Sequence, residues 1–139
     1  MEITLALIKP HVLRNAYAFR QIETLIGNNF IVLGAKKVCV TKELSERFYA
    51  EHEGKFFYHR LSSFMRSGPC YAFILQSESC IVKWRQLMGP TKVFKAIHSE
   101  PSSIRALYGL SDTRNACHGS DSEKSAIREI AILFPEFKI

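Results

Sequence analysis

The sequence predicts an α+β domain in which helices pack on a small antiparallel sheet, in a ferredoxin-like arrangement. Short apolar runs rich in β-formers alternate with helix-period segments, in the order strand, helix, strand, helical hairpin, strand, helix, long loop, helix. A length of 139 residues suits one compact domain, so we expect a single domain over residues 1–139. A hydrophobic content of 47% is enough for a sizeable core and argues against disorder.

The first strand and helix are predicted from a short apolar run and a capping residue. Residues 3–8 are apolar and β-rich, which indicates a buried strand, and Lys9-Pro10 ends it. Asn15 is expected to cap a helix that runs to about Ile26. The helix should end at Gly27-Asn28-Asn29, because glycine and asparagine suit a left-handed helix end.

Residues 30–40 are predicted to form the second strand. The side chains expected on its inward face are Ile31, Leu33, Ala35 and, less regularly, Val38 and Val40. Thr41 should then cap a helix through about Glu51. The inward face of that helix is expected to contain Leu44, Phe48 and Tyr49.

A helical hairpin, a third strand and a further helix follow. Residues 58–66 indicate the second helix of the hairpin, and residues 70–75 are so uniformly apolar that we expect a central strand. Ser79 should cap a helix through about Met88, which Gly89-Pro90-Thr91 breaks.

The next segment carries weaker signals. Residues 92–101 show little periodicity and predict a loop, after which Ser102 or Ser103 starts a short helical turn. A fourth strand is expected either near residues 115–117 or at the C-terminal Phe137.

The stretch Asn115-Ala116-Cys117-His118-Gly119-Ser120-Asp121-Ser122 places a histidine on an expected tight connection before a helix. Gly119 is expected to supply a backbone conformation that other residues resist, and Ser120 with Glu123 reads as a capping box. The helix face should contain Ala126, Ile127, Ile130, Leu133 and Phe134, before Pro135. A helix start favours phosphate, so a neutral His118 there is a candidate nucleophile. A single histidine more often only fills a loop, and the neighbouring polar residues favour the functional interpretation.

Charge and composition limit the classes of binding partner that we expect. A formal net charge of +6 allows nucleic acid, an anionic membrane surface or phosphorylated small molecules. Because the basic residues are dispersed, nucleic acid is the least favoured. The apolar run at residues 3–8 is too short to span a membrane, and the four cysteines match no zinc spacing. Without a recognisable signal peptide, we expect an intracellular protein, in the cytoplasm or a mitochondrion.

The motif Asn-x-x-His-Gly-Ser-Asp-Ser at residues 115–122 resembles the signature of nucleoside diphosphate kinases. Other segments agree with that family in order and spacing: Ile8-Lys9-Pro10, Phe56-Phe57, residues 64–69, Gly89-Pro90-Thr91 and Ile104-Arg105. The resemblance covers essentially the whole chain and looks closest to the divergent nucleoside diphosphate kinase 6 subgroup. It implies the family's αβ sandwich and a ping-pong reaction, in which His118 carries the γ-phosphoryl group of a nucleoside triphosphate to a nucleoside diphosphate.

The same resemblance implies a role for each matching residue. Glu129 would orient His118, with Tyr49 and Ser120 around that pair. The implied phosphate ligands are Lys9, Arg85, Thr91 and Arg105. The implied contacts to the nucleoside are Phe57 stacking on the base, Leu61 beside it, and Asn115 at the sugar hydroxyl. Mg²⁺ is expected to arrive on the β- and γ-phosphates, so the protein needs no metal cage of its own.

Two departures from the family pattern leave an alternative open. His11 stands where the family usually has aspartate, and the loop at residues 92–100 is longer than in common members. That loop borders the phosphate site and carries subunit contacts in the family. The chain is therefore expected either to form a homo-oligomer or to bind a protein partner. The alternative function is a relative of low or no activity that binds nucleotides as a regulatory or partner-binding subunit.

Overall fold

The computed structural model describes residues 1–138, which form a four-stranded sheet in the order β2-β3-β1-β4 with helices on both faces. The strands are β1 (Glu2–Ile8), β2 (Ile31–Val38), β3 (Cys70–Ser77) and β4 (Cys117–Gly119), and every pairing is antiparallel. The helices are α1 (Pro10–Leu13), α2 (Ala16–Asn29), α3 (Lys42–Phe48), α4 (Tyr58–Met65), α5 (Cys80–Met88), α6 (Val93–Ser99), α7 (Ile104–Tyr108) and α8 (Glu123–Leu133). The predicted α+β class and antiparallel sheet are confirmed.

Two apolar layers cover the sheet, because successive residues of a strand point to opposite faces. On one face Ala6 and Ile8 pack with buried side chains of α2 and α5. On the other face Leu5 and Leu7 pack with buried side chains of α3, α4 and α8. Strands β1 and β3 are central, and for β3 this position was predicted from its apolar sequence. Within the described chain, no helix has the length and apolar character that crossing a membrane requires.

The helix predicted from Asn15 is present, and Asn15 caps it by accepting from the Ala18 amide at 3.1 Å. The predicted end near Ile26, with a left-handed conformation in Gly27-Asn28-Asn29, was wrong, since α2 continues to Asn29 and none of these three residues has a positive φ. Helix α1 was not predicted. It begins at Pro10, a residue that the first turn of a helix tolerates because an amide there needs no partner.

The helix predicted from Thr41 is shorter than expected. Thr41 accepts from the Leu44 amide at 3.1 Å and so caps α3, as predicted. The helix nevertheless ends at Phe48, and the segment Ala50–His52 is a 3₁₀ turn rather than its continuation. The helical hairpin is then completed by α4, close to its predicted bounds.

The predicted inward face of β2 was wrong for its first three residues, whereas Val38 is buried and Val40, just beyond the strand, packs against the core as predicted. Ile31 and Leu33 are 52% and 39% exposed, and Ala35 is exposed as well. Strand β2 lies at the edge of the sheet, and a register shift between Val32 and Gly34 interrupts the alternation of its side chains.

Two other local predictions were wrong. Ser79 precedes α5 but forms no side-chain cap; instead Glu2 Oε1 accepts from the Ile81 amide at 2.8 Å, where a carboxylate is favoured by the helix dipole. Residues 92–101 are not a loop throughout, because they include helix α6. The buried face of α6 consists of Val93 and Ala96. That face is too short to produce a periodic signal. Ser103, one of the two predicted starts, caps α7.

Candidate active site

His118 lies in the middle of β4, opposite Leu7 of β1, and not on a loop as predicted. The reason for Gly119 also differs from the prediction. Its φ lies outside the left-handed region, but a Cβ there would be 2.5 Å from Trp84 Cδ1. The residue with positive φ is Ala116, at 78°. The fourth strand falls near the first of the two predicted places, and Phe137 lies outside the sheet.

Ser120 does not cap α8, which corrects the predicted capping box; Ser122 fulfils that role. The Ser120 hydroxyl instead donates to Glu129 Oε1 at 2.8 Å and accepts from the Leu5 amide at 3.3 Å. The buried face of α8 includes Glu129, whereas Ile127 is 43% exposed. The buried face of α8 therefore includes a carboxylate, and the isoleucine that the apolar pattern placed on this face is partly exposed.

Glu129 and His118 form a hydrogen-bonded pair, with 2.9 Å between Oε1 and Nε2. Burial alone would raise the pKa of Glu129, but the bond to His118, the charge of that ring and the Ser120 bond outweigh it and lower the pKa. An ionised carboxylate only accepts, so Nε2 carries a proton, and in the neutral form of the ring the lone pair is on Nδ1. The side chain of His118 is 25% exposed, and its ring packs edge-on against Phe48 at 5.2 Å between centroids.

Lys9 approaches this region from the end of β1. Its Nζ donates to Asn115 Oδ1 at 2.7 Å and to the Thr113 carbonyl at 3.0 Å, and the residue is only 5% exposed. Burial, followed by repulsion from Arg105, lowers the pKa of Lys9 to about 8. The Asn115 amide in turn donates to the Thr91 carbonyl at 3.1 Å, so three predicted residues form one chain of hydrogen bonds.

Two arginines bind the backbone on either side of His118. Arg105 Nη2 donates to the Cys117 carbonyl at 2.9 Å, and Arg85 Nη1 donates to the Gly119 carbonyl at 3.2 Å. Arg105 is buried, which lowers its pKa, and its Nε has no hydrogen-bond partner within residues 1–138. Arg85 is exposed. The strand that carries the imidazole is therefore flanked by positive charge.

The remaining predicted residues lie on or beside the hairpin of α3 and α4. Phe57 is half-buried, with its ring 5.3 Å from that of His52, and Leu61 packs against the apolar layer of α8. The Tyr49 ring packs edge-on against Phe48, and its buried hydroxyl has no partner in the described chain. Ring contacts lead from His118 through Phe48 and Tyr49 to His52, and from His52 to Phe57. Leu61 has no part in this series of rings.

Sequence reasoning missed three contributors to the site. Phe48 contacts the His118 ring, and Trp84 Nε1 donates to the His118 carbonyl at 3.2 Å. Arg128 Nη2 lies 3.7 Å from the second carboxylate oxygen of Glu129. Phe48 is predicted from sequence only as a residue on the inward face of its helix. Only the position of Arg128 next to Glu129 in the sequence could have indicated its role.

One cavity of the described chain, with a volume of about 660 Å³, does not include His118 in its lining. It lies between α4 and the loop before Asn115, and its lining residues are His11, Arg14, Arg60, Ser63, Phe64, Ser67, Ser111, Asp112, Thr113 and Arg114. His118, Lys9 and Arg105 therefore lie outside the lining of this cavity. An imidazole flanked by cationic side chains suits the class of proteins that handle phosphate groups.

Comparison with known proteins defines the family. The family model for nucleoside diphosphate kinase matches residues 2–139, and the chain belongs to this family. It is similar to nucleoside diphosphate kinase 6 of Danio rerio, with 50% identity over 137 residues that cover 99% of this chain and 78% of that protein. The subgroup resemblance predicted from the motifs is confirmed.

Solved structures agree with this assignment. The nucleoside diphosphate kinase of Aquifex aeolicus superposes with a TM-score of 0.90 at 34% identity, covering 96% of this chain and 94% of that one. A halophilic nucleoside diphosphate kinase from Halobacterium salinarum, solved in complex with CDP, superposes with a TM-score of 0.86 at 33% identity, covering 96% and 87%.

Proposed function

We propose that the chain, as a single domain over residues 1–139, is an active nucleoside diphosphate kinase that works through phosphorylated His118. The observation that carries this proposal is the hydrogen bond between Nε2 and ionised Glu129, at 2.9 Å. That bond leaves Nδ1 as the nucleophilic nitrogen. A histidine that merely filled space would need no buried carboxylate to fix its tautomer.

The transfer takes place in two balanced steps. In the first, the Nδ1 lone pair forms a P–N bond as the bond from the γ-phosphorus to the β-phosphate oxygen breaks, and a nucleoside diphosphate leaves. In the second, a terminal oxygen of another nucleoside diphosphate forms a P–O bond as the P–N bond breaks. Glu129 stays ionised throughout and holds the Nε2 proton, which stabilises the positive charge that develops on the ring.

Lys9, Arg85 and Arg105 would neutralise the phosphate charge during both steps. Lys9 donates two of its three N–H groups internally, so one donor remains for a phosphate oxygen. Arg105 is anchored on the carbonyls of Gly89 and Cys117, which fixes its charge beside the strand of His118. Electrostatic preorganisation of this kind is worth about 3–4 kcal/mol for a single donor in other active sites.

The nucleoside would lie against the hairpin of α3 and α4. Phe57 would stack on the base beside Leu61, Thr91 would contact a phosphate, and Asn115 would contact the sugar hydroxyl. Stacking does not read base edges, so we expect weak base selectivity. The relative from Halobacterium salinarum binds CDP, which supports a nucleotide as the ligand.

Mg²⁺ fits this site as a companion of the nucleotide. Among the described residues no cluster of three His, Cys, Asp or Glu side chains could hold a metal, and the site is lined by cationic and amide groups. The phosphates themselves would hold the ion. When bound, Mg²⁺ neutralises charge on the β- and γ-phosphates.

One observation favours the second candidate, a nucleotide-binding subunit with little turnover. The unexpected helix α6 leaves Phe94 and Ile97 75% and 49% exposed, which gives the segment after Thr91 an apolar surface suited to a homo-oligomer or a protein partner. Under either candidate, we place the protein inside the cell, in the cytoplasm or a mitochondrion.

Phosphorylation with γ-labelled ATP and Mg²⁺ separates the two candidates. We expect acid-labile, base-stable label on the wild type, release of that label by an added nucleoside diphosphate, and no label on His118→Asn. The matched control is His98→Asn, which removes an exposed histidine on α6 and should label normally. If the wild type binds nucleotide but takes up no label, the low-activity candidate replaces the proposal.

A further inference from the structure

The side chain of Arg128 joins α8 to the end of α3. Its Nη1 lies 3.1 Å from the Arg47 carbonyl and its Nη2 lies 3.4 Å from the Phe48 carbonyl. These belong to the last residues of α3, whose carbonyls have no helical partner. A cation at a helix C-terminus is favoured by the helix dipole, so the guanidinium closes that end of the helix.

The same guanidinium also faces the catalytic carboxylate. Arg128 Nη2 is 3.7 Å from Glu129 Oε2, whereas His118 and Ser120 both bind Oε1. The two oxygens of Glu129 are therefore divided between the histidine side and the arginine side. The charge of Arg128 contributes to the lowered pKa of Glu129, after the contributions of His118 and Ser120.

The end of α3 reaches His118 by a second route. The Phe48 ring packs edge-on against the imidazole at 5.2 Å, and the Phe48 carbonyl is one of the two that Arg128 binds. One residue, Phe48, thus touches the nucleophile with its ring and the arginine with its backbone. The chain beyond it continues through the hairpin that carries Phe57.

We propose that Arg128 is a positioning residue that clamps the hairpin of α3 and α4 to the His118–Glu129 pair. This inference rests on the proposed function. Its first effect is on the pair, because the charge opposite Oε2 keeps the carboxylate ionised and turned towards Nε2. Its second effect is on the hairpin, because the bonds to two carbonyls fix where Phe57 meets a base. A planar guanidinium can bind both carbonyls while it faces Glu129 and, at 3.9 Å, the exposed carboxylate of Glu51, which a lysine ammonium cannot do.

Two substitutions separate these effects. Arg128→Lys keeps a positive charge near Glu129 but loses the fork to the two carbonyls, so we expect a KM for nucleotide raised about 3- to 10-fold with little change in kcat. Arg128→Met removes both, so kcat should also fall, about 3- to 10-fold. The matched control is Arg47→Met, because only the backbone of Arg47 takes part in the described contacts.

The tautomer of His118 provides a readout that mere stability would not move. Long-range ¹H–¹⁵N spectra of the ring should give the Nε2–H form in the wild type, in Arg128→Lys and in Arg47→Met, and a mixture of tautomers in Arg128→Met. Unchanged tautomer and unchanged kinetics in Arg128→Met would overturn the proposal. If Arg128→Met does not fold, a KM for Arg128→Lys equal to that of the wild type would overturn it. Absence of label on the wild-type protein would refute the kinase function alone, since the tautomer measurement needs no turnover.

Discussion

Replacing Gly119 by alanine should destabilise the protein through one identifiable clash. The added Cβ would lie 2.5 Å from Trp84 Cδ1, 2.8 Å from Trp84 Nε1 and 2.7 Å from Met88 Cε. Trp84 and Met88 are both fully buried, so neither side chain has free space into which it can move. The glycine is therefore required by the close approach of α5 to β4 and not by its own backbone angles.

Two contributions set the size of the effect. Forcing a methyl group into a filled core costs about 1–3 kcal/mol. Displacing the indole also weakens the bond from Trp84 Nε1 to the His118 carbonyl, 3.2 Å long, which contributes about 1 kcal/mol. We therefore expect the free energy of unfolding to fall by about 2–4 kcal/mol.

Urea unfolding followed by tryptophan fluorescence measures this change directly, because Trp84 is the only tryptophan. With an m-value of about 2 kcal/mol/M, in the middle of the usual range, the midpoint should fall by roughly 1–2 M. The matched control is Gly27→Ala in α2, where a Cβ meets nothing within 4 Å and alanine should stabilise by about 0.5–1 kcal/mol. A midpoint for Gly119→Ala within 0.3 M of the wild type, as a rough limit of measurement, would refute the packing argument.

Two further predictions concern the charges at the site. Because the pKa of Lys9 is lowered to about 8, its ammonium is charged below that pH and neutral above it; the affinity for a nucleoside diphosphate should fall as pH rises through about 8. Calorimetric titrations from acid to alkaline pH should give this transition in the wild type and not in Lys9→Met, and an identical transition in both would contradict the assignment. Glu129→Gln replaces a charge-assisted bond by a neutral one, so phosphohistidine formation should slow by about 10- to 100-fold, equivalent to about 1.5–3 kcal/mol. Rapid-quench labelling measures that rate; Glu123→Gln, an exposed change in the first turn of α8, should leave it unchanged, and equal rates for the two variants would disprove the role of Glu129.

The parts of the fold that could be predicted from sequence are those where one local signal agrees with packing. Strands β1 and β3 are mostly apolar because both of their faces are covered, and the caps at Asn15 and Thr41 depend only on neighbouring amides. Strand β2 could not be predicted correctly, because its bulge and its place at the sheet edge depend on β3. The cap of α5 depends on Glu2, which lies far away in the sequence.

The candidate site was predictable to a similar extent. The motif around His118 identified the histidine and Glu129, because the family resemblance supplies their roles. It did not identify the strand that carries His118, because three paired residues are too few to produce an alternating pattern. The contact between Arg128 and Phe48 joins segments that are 80 residues apart in the sequence. No local sequence pattern can predict a contact over that separation.

The position of His118 within a paired strand affects which substitutions the protein can tolerate. Its backbone is paired with β1, and its carbonyls accept from Trp84, Arg85 and Arg105, so the reactive ring is fixed to the same framework that folds the chain. A substitution at a buried position of β1 that weakens the packing of the core should displace the imidazole before the protein unfolds. A substitution there should therefore change the position of the His118 ring and the thermal stability of the chain together.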